Sequence, residues 1–291
     1  MFSGSFVALI TPFKDGKVDV ERLRELVEFQ IANGTNGLVP CGTTGETATM
    51  TEEEDELVIG TVVETAAGRV PVVAGTGSND TRKSIQYTKN AQRLGSNGVL
   101  VVAPYYNKPT QEGLYLHFEA IAESTDLPII MYNIPGRTNV NMAPETIARL
   151  AEIKNIVAVK EASGNLEQIA SVAKLCGPDF DIFSGDDTLT LPIMAVGGVG
   201  VISVVANIYP RAVADMCSAF MAGDIKRARE LYFHLFDLCK AMFIETNPIP
   251  VKTAAGLMGM CSPDLRLPMS PMAEGNVRKL REVLQKYGLV K

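Results

Sequence analysis

Lys160 is the residue in this chain whose surroundings most invite chemistry. It closes the run Asn155-Ile-Val-Ala-Val-Lys160 and is followed by Glu-Ala-Ser-Gly, so a short apolar stretch delivers a lysine to the point where a turn begins. Other polar side chains gather just after similar apolar runs: Thr11, Thr43, Thr44, Asn79, Tyr105, Tyr106, Tyr132, Arg137, Ser184, Asp186 and Asp187. A lysine, several tyrosines, a Thr-Thr pair and an arginine form the inventory for amine attack on a carbonyl, with hydroxyl groups moving the protons. Such an amine must lose its proton near neutral pH. Lowering a lysine from about 10.4 to 7–8 destabilises the ammonium by roughly 3–5 kcal/mol, which burial can supply and a solvated rim cannot. At this point two readings of Lys160 stand, a hydrated rim residue and an amine aimed into a pocket.

The elements that would position these residues repeat. Apolar runs at 6–10, 37–41, 70–74, 98–103, 128–132, 156–160, 181–184 and 200–205 alternate with stretches of helical periodicity. Asp19 is suited to cap the first helix, and Thr51 with Glu54 forms a capping box before the second. The apolar runs are continuous rather than alternating, as strands covered on both faces should be. Eight strand–helix units predict an α/β chain folded as a (β/α)8 barrel, whose chemistry collects at the carboxyl ends of the strands. From about Tyr209 only helical periodicity remains. We therefore expect a barrel over 1–224 and a helical C-terminal extension over 225–291 packed on it. The eighth barrel helix is either 211–221 or the segment after Gly223.

Composition narrows the class. The 291 residues are 46% hydrophobic and 21% charged, with a net charge of −6, which argues against a nucleic-acid partner. No apolar run approaches the roughly 20 residues needed to span a bilayer, and residues 1–10 lack a basic leader, so a cytoplasmic location without membrane contact is expected. Five scattered cysteines, none in C-x-x-C, suit free thiols. His117 and His234 are the only histidines and lie far apart in helical stretches, so neither a histidine metal centre nor a Ser-His-Asp triad is expected. The glycine-rich turns 42–45 and 75–77 match neither a Walker nor a dinucleotide fingerprint and read as tight strand-to-helix turns.

G-T-T-G-E at 42–46, Y-N-I-P at 132–135, V-K-E-A-S-G at 159–164 and G-D-D at 185–187 occur in the order found in a known family. Over essentially its whole length the chain resembles the pyruvate-dependent class I aldolases, typified by N-acetylneuraminate lyase and dihydrodipicolinate synthase. The resemblance implies that Lys160 forms an imine with pyruvate, that Thr44 holds the pyruvate carboxylate, and that Ile202 and Gly185 belong to the substrate pocket. Within the family the chain is most similar to the dihydrodipicolinate synthases. Arg137, in Y-N-I-P-G-R-T, occupies the place where these bind the carboxylate of L-aspartate 4-semialdehyde, a bidentate task suited to guanidinium. The segment P-Y-Y-N-K-P-T at 104–110 resembles the one that delivers Tyr106 across a dimer interface, so Tyr132, Thr43 and Tyr106 would form the proton relay. N-P-I-P-V-K at 247–252 matches a C-terminal motif of the synthases, and is read here as a helix start with no catalytic role. The implied product is 4-hydroxy-tetrahydrodipicolinate, an early intermediate towards lysine and diaminopimelate. The implied assembly is a homotetramer of tight dimers, and no cofactor or metal is required.

One departure stands out. Where lysine-inhibited synthases carry histidine-type groups and a glutamate, this chain has Glu52, Asp55 and Lys83. The Lys83 cation would repel the ammonium of bound lysine, so weak or absent feedback inhibition is expected. Two alternatives remain: a related aldolase cleaving a 2-keto-3-deoxy sugar acid or a sialic acid, and a non-catalytic binding barrel. Cys41 is expected to be a small core residue, and Asp186 and Asp187 to cap a helix and shape the pocket.

Overall fold

The computed structural model describes residues 2–291. Eight parallel strands form one sheet: β1 (Gly4–Ala8), β2 (Gly37–Val39), β3 (Val73–Gly75), β4 (Gly98–Val102), β5 (Ile129–Asn133), β6 (Ile156–Glu161), β7 (Asp181–Ser184) and β8 (Gly200–Ser203). Each pairs with its sequence neighbour, β1 also pairs with β8, and a single bridge between Leu38 and Val72 closes the ring. This is the expected (β/α)8 barrel.

Side-chain alternation along the strands divides the core in two. Phe6, Val39, Val73, Leu100, Ile130, Ala158, Phe183 and Ile202 fill the barrel interior. Val7, Leu38, Val99, Met131, Val159 and Val201 face the opposite way and join the layer shared with the helices. Period two then places Lys160 on the inner face, two residues beyond Ala158, and Tyr132 likewise beyond Ile130. The two are register partners across β5 and β6.

The first helices are α1 (Val20–Ala32), α2 (Glu52–Ala66), α3 (Thr81–Arg93), α4 (Gln111–Ala122), α5 (Pro144–Ala151), α6 (Leu166–Cys176) and α7 (Thr190–Ala195). Asp19 caps α1, and both halves of the Thr51–Glu54 capping box are present at α2. Helix α8 (Pro210–Met221) packs on β1, which settles which segment is the eighth barrel helix, and α9 (Ile225–Ala241) packs on α8. Helix α10 (Ile249–Leu257) packs on α11 (Glu274–Lys286) and on the turn Val205–Asn207 that follows β8. The C-terminal chain thereby reaches the carboxyl end of the barrel. A hairpin of Phe13–Lys14 and Lys17–Val18, absent from the sequence reading, turns through Asp15-Gly16, both at positive φ.

Candidate active site

At the carboxyl end of the barrel Lys160 is 5% exposed, and its Nζ lies 4.3 Å from the centroid of the Tyr132 ring. Burial pulls the amine down from 10.5 to about 8; Asp187 opposes that fall and the Arg137 cation adds to it. The rim reading of Lys160 is excluded by this burial. The same burial pushes the Tyr132 phenol up to about 12, against the opposing influence of Arg137 and of a hydrogen bond with Thr43. Tyr132 is therefore a protonated hydroxyl at neutral pH, with a hydrogen to donate.

Lys160, Tyr132, Thr43, Thr44, Arg137 and Gly185 line one chamber of about 40 Å³. It adjoins a larger cavity of about 490 Å³, and Thr43, Ile134, Arg137 and Asn247 line both. Gly185 is fixed by sterics. A Cβ there would stand 2.7 Å from the Ala162 Cβ and 3.1 Å from the Lys160 Cε, so any side chain would press on the amine's stem. Ile202 sits one layer lower, in the barrel interior, and Val204 lines the chamber above it. Tyr106 lies apart from these residues: it is 88% exposed and held at φ 73°.

Supporting contacts flank the reactive pair. Asn133 and Glu161, the next residues on β5 and β6, are register partners facing away from the chamber. The Asn133 amide donates to both Glu161 carboxylate oxygens, at 3.1 and 3.2 Å, and the pair is buried. The two aspartates after β7 have different tasks. Asp186 accepts from the Thr188 backbone N–H at 2.8 Å, as a cap should. Asp187 instead accepts from the Ser203 hydroxyl and from the Val204 and Val205 N–H groups, tying the end of β7 to the loop after β8.

Asp55, Lys83 and Tyr105 line the larger cavity, whereas the Glu52 carboxylate accepts from the Asn90 amide at 2.7 Å. Cys41 is buried, and burial holds its thiol well above the ordinary range, consistent with a core residue. His117 is buried in α4 against the Thr81 hydroxyl, and His234 joins Tyr209 and Tyr287 in an aromatic cluster.

The sequence reading missed the part played by the C-terminal motif. The Arg137 guanidinium donates to the Asn247 carbonyl at 2.9 Å, and the Asn247 Nδ2 donates to the Thr44 hydroxyl at 3.0 Å. Lys252 is fully buried and pairs with Glu46, the last residue of G-T-T-G-E, whose carboxylate also accepts from the Arg266 N–H at 3.0 Å. Burial lowers the Lys252 amine, and the neighbouring Glu46 carboxylate opposes that change. The available signal was two prolines that place 249–252 at a helix start, which says nothing of its partners.

Comparison with known proteins agrees with the geometry. The model of the dihydrodipicolinate synthetase family matches residues 1–287. The 4-hydroxy-tetrahydrodipicolinate synthase of Geotalea uraniireducens is 58% identical over 290 residues, and that of Geobacter sulfurreducens 57%, each match covering 100% of both chains. The crystal structure of dihydrodipicolinate synthase from Aquifex aeolicus superposes with a TM-score of 0.98 at 53% identity, covering 99% of each chain. A lysine-bearing barrel that matches the family model along nearly its whole length, with relatives of more than half identical sequence, belongs to the dihydrodipicolinate synthetase family.

Proposed function

We propose that this chain condenses pyruvate with L-aspartate 4-semialdehyde through an imine on Lys160, forming 4-hydroxy-tetrahydrodipicolinate for lysine and diaminopimelate synthesis. The observation that carries this reading is a desolvated lysine amine stacked on a buried tyrosine, in a chamber that also holds an arginine. With its pKa near 8, about a tenth of Lys160 is the free amine at pH 7, against a few in ten thousand for an ordinary lysine. That amine attacks the ketone carbon of pyruvate, and the carbinolamine loses water to give the imine. Loss of a methyl proton gives the enamine, whose carbon attacks the aldehyde, and the aldehyde oxygen takes up a proton to become the product hydroxyl. The substrate's own amine then attacks the imine carbon, closing the ring and releasing Lys160. Tyr132 and Thr43 move the protons, and Thr44 holds the pyruvate carboxylate. Arg137 receives the semialdehyde carboxylate. Gly185 leaves room for the lysine stem, and Ile202 contributes backbone beneath the pyruvate.

Tyr106 completes the relay in the partner copy of a tight dimer, two of which form a homotetramer. Its support is Tyr106 itself, exposed and held at positive φ, so that its ring stands clear of its own chain's chamber. The barrel over 1–224 carries the reacting groups, and the extension over 225–291 braces them. Five free cysteines suit a reducing cytoplasm, and no helix among the described residues is long and apolar enough to cross a membrane. Arg137 and the names of the relatives both disfavour the sugar-acid aldolase. The test is a mass-spectrometric product assay with pyruvate and either aspartate semialdehyde or sugar aldehydes, with Lys160→Ala in parallel. A cyclised product from the semialdehyde alone, lost in the variant, is expected. Turnover only with sugar aldehydes would refute the role of Arg137. No turnover and no borohydride-trapped pyruvate would leave a binding barrel.

A further inference from the structure

Asn247 is the buried group beside the reacting residues that the proposed reaction does not use. It is 5% exposed and lines both chambers, 203 positions along the chain from the Thr44 it contacts. A hydroxyl has one hydrogen and two lone pairs. The Asn247 amide donates to the Thr44 oxygen and so occupies a lone pair, leaving the Thr44 hydrogen to be given elsewhere. Thr44 is 2% exposed and lines the chamber with Lys160, and its hydroxyl finds no acceptor among the described residues. We propose that Asn247 is a positioning residue that fixes the Thr44 hydroxyl as a donor into the Lys160 chamber, setting the strength with which pyruvate is held. The proposal rests on the functional reading above, in which Thr44 meets the pyruvate carboxylate.

Two further observations support it. The Asn247 Oδ1 is buried without a partner, an arrangement that destabilises the fold. An asparagine is thus a poor space-filler here, and what it contributes is its donor. The motif is also clamped twice to the G-T-T-G-E turn, by Asn247 on Thr44 and by Lys252 on Glu46, so the amide has a fixed reference. Arg137, by contrast, is held by the Asn247 backbone carbonyl. Changing the side chain should therefore disturb the pyruvate site and spare the semialdehyde site.

In a ping-pong reaction the kcat/KM for each substrate reports its own half-reaction. Asn247→Ala should lower kcat/KM for pyruvate about five- to tenfold, the effect of one neutral hydrogen bond. Asn247→Asp, nearly the same shape, turns the donor into an acceptor that takes the Thr44 hydrogen and sets a negative charge near the arriving carboxylate. It should lower the same parameter about a hundredfold. Asn247→Ala, which adds no charge beside Arg137, should keep kcat/KM for the semialdehyde within about twofold of the wild-type value, a constancy that also reports intact folding. In Thr44→Val, which has no hydroxyl to orient, adding Asn247→Ala should change little more. The direct measurement is borohydride trapping of pyruvate on Lys160 of the full chain without semialdehyde, over a range of pyruvate concentrations. Half-saturation that is the same in wild type and both variants, or equal losses for the two substrates in Asn247→Ala, would overturn the assignment. A wild-type chain that traps no pyruvate would instead overturn the functional reading, and this inference with it.

Discussion

The lysine on which the proposed reaction depends should weaken the fold that holds it. Lys160 makes no hydrogen bond through Nζ among the described residues, and its pKa falls from 10.5 to about 8, mainly through burial. At about 1.36 kcal/mol per pH unit, the buried ammonium costs the folded chain about 3 kcal/mol, some of it offset by the Tyr132 ring beneath it. Lys160→Met keeps much of the stem and removes the charge, so at pH 7 the variant should be more stable by up to about 3 kcal/mol. The sign with pH follows from where the proton is lost. Below about 8 the amine is protonated in both states, and the full cost is present. Between about 8 and 10.5 the folded state releases its proton first, so the unfolded state binds more protons and wild-type stability climbs. The advantage of the variant should therefore be largest near pH 7 and fade towards pH 10. Urea unfolding of both chains at equal protein concentration, followed by far-ultraviolet circular dichroism because the chain has no tryptophan, measures it. Equal midpoints at pH 7, or an advantage that grows with pH, would refute the desolvation argument. By the same argument pyruvate trapping by the wild type should rise through a limb near pH 8, and a flat rate from pH 7 to 9 would contradict it.

Arg137→Lys keeps the charge that bears on Lys160 but loses the planar fork. It should lower kcat/KM for the semialdehyde by about one to two orders of magnitude and leave pyruvate trapping unchanged, as steady-state kinetics with each substrate varied would show. Asn133→Leu removes the buried bond to Glu161 that fixes the spacing of β5 and β6 behind Tyr132 and Lys160. Its kcat should fall about tenfold or more with little change in either KM, and a change confined to KM would contradict that role. Feedback inhibition by L-lysine should be weak or absent, because Lys83, at a position that the resemblance assigns to the lysine pocket, would repel the ammonium of bound lysine. Inhibition titrations showing strong inhibition by millimolar L-lysine would refute this.

The barrel was legible because a parallel strand covered on both faces must be apolar throughout, and eight such runs ending in polar residues leave few other folds. Strand ends were less legible. The third strand, expected over 70–74, runs Val73–Gly75, because Pro71 offers β2 only its carbonyl and pairing there shrinks to the Leu38–Val72 bridge. The hairpin at Asp15-Gly16 had a readable turn signal, but strands of two residues carry no periodicity. At the site, Lys160, Tyr132 and Thr43 could be placed together because each lies at or just after the end of a strand, and strand ends converge wherever a barrel closes. No such rule reaches Asn247, Lys252 or Glu46. Their partners lie 110 or more residues away, and lysine and glutamate in a helix and a turn are ordinarily solvated. What makes them part of the site is the direction the chain takes after the eighth barrel helix, back over the carboxyl end of the barrel. Once α10 lies there, Arg137 gains a carbonyl and Thr44 an amide, and the G-T-T-G-E turn is held by the buried Lys252. The extension thus braces Thr44 and Arg137, the two residues proposed to hold carboxylates, from outside the barrel, in contacts that no local stretch of sequence encodes.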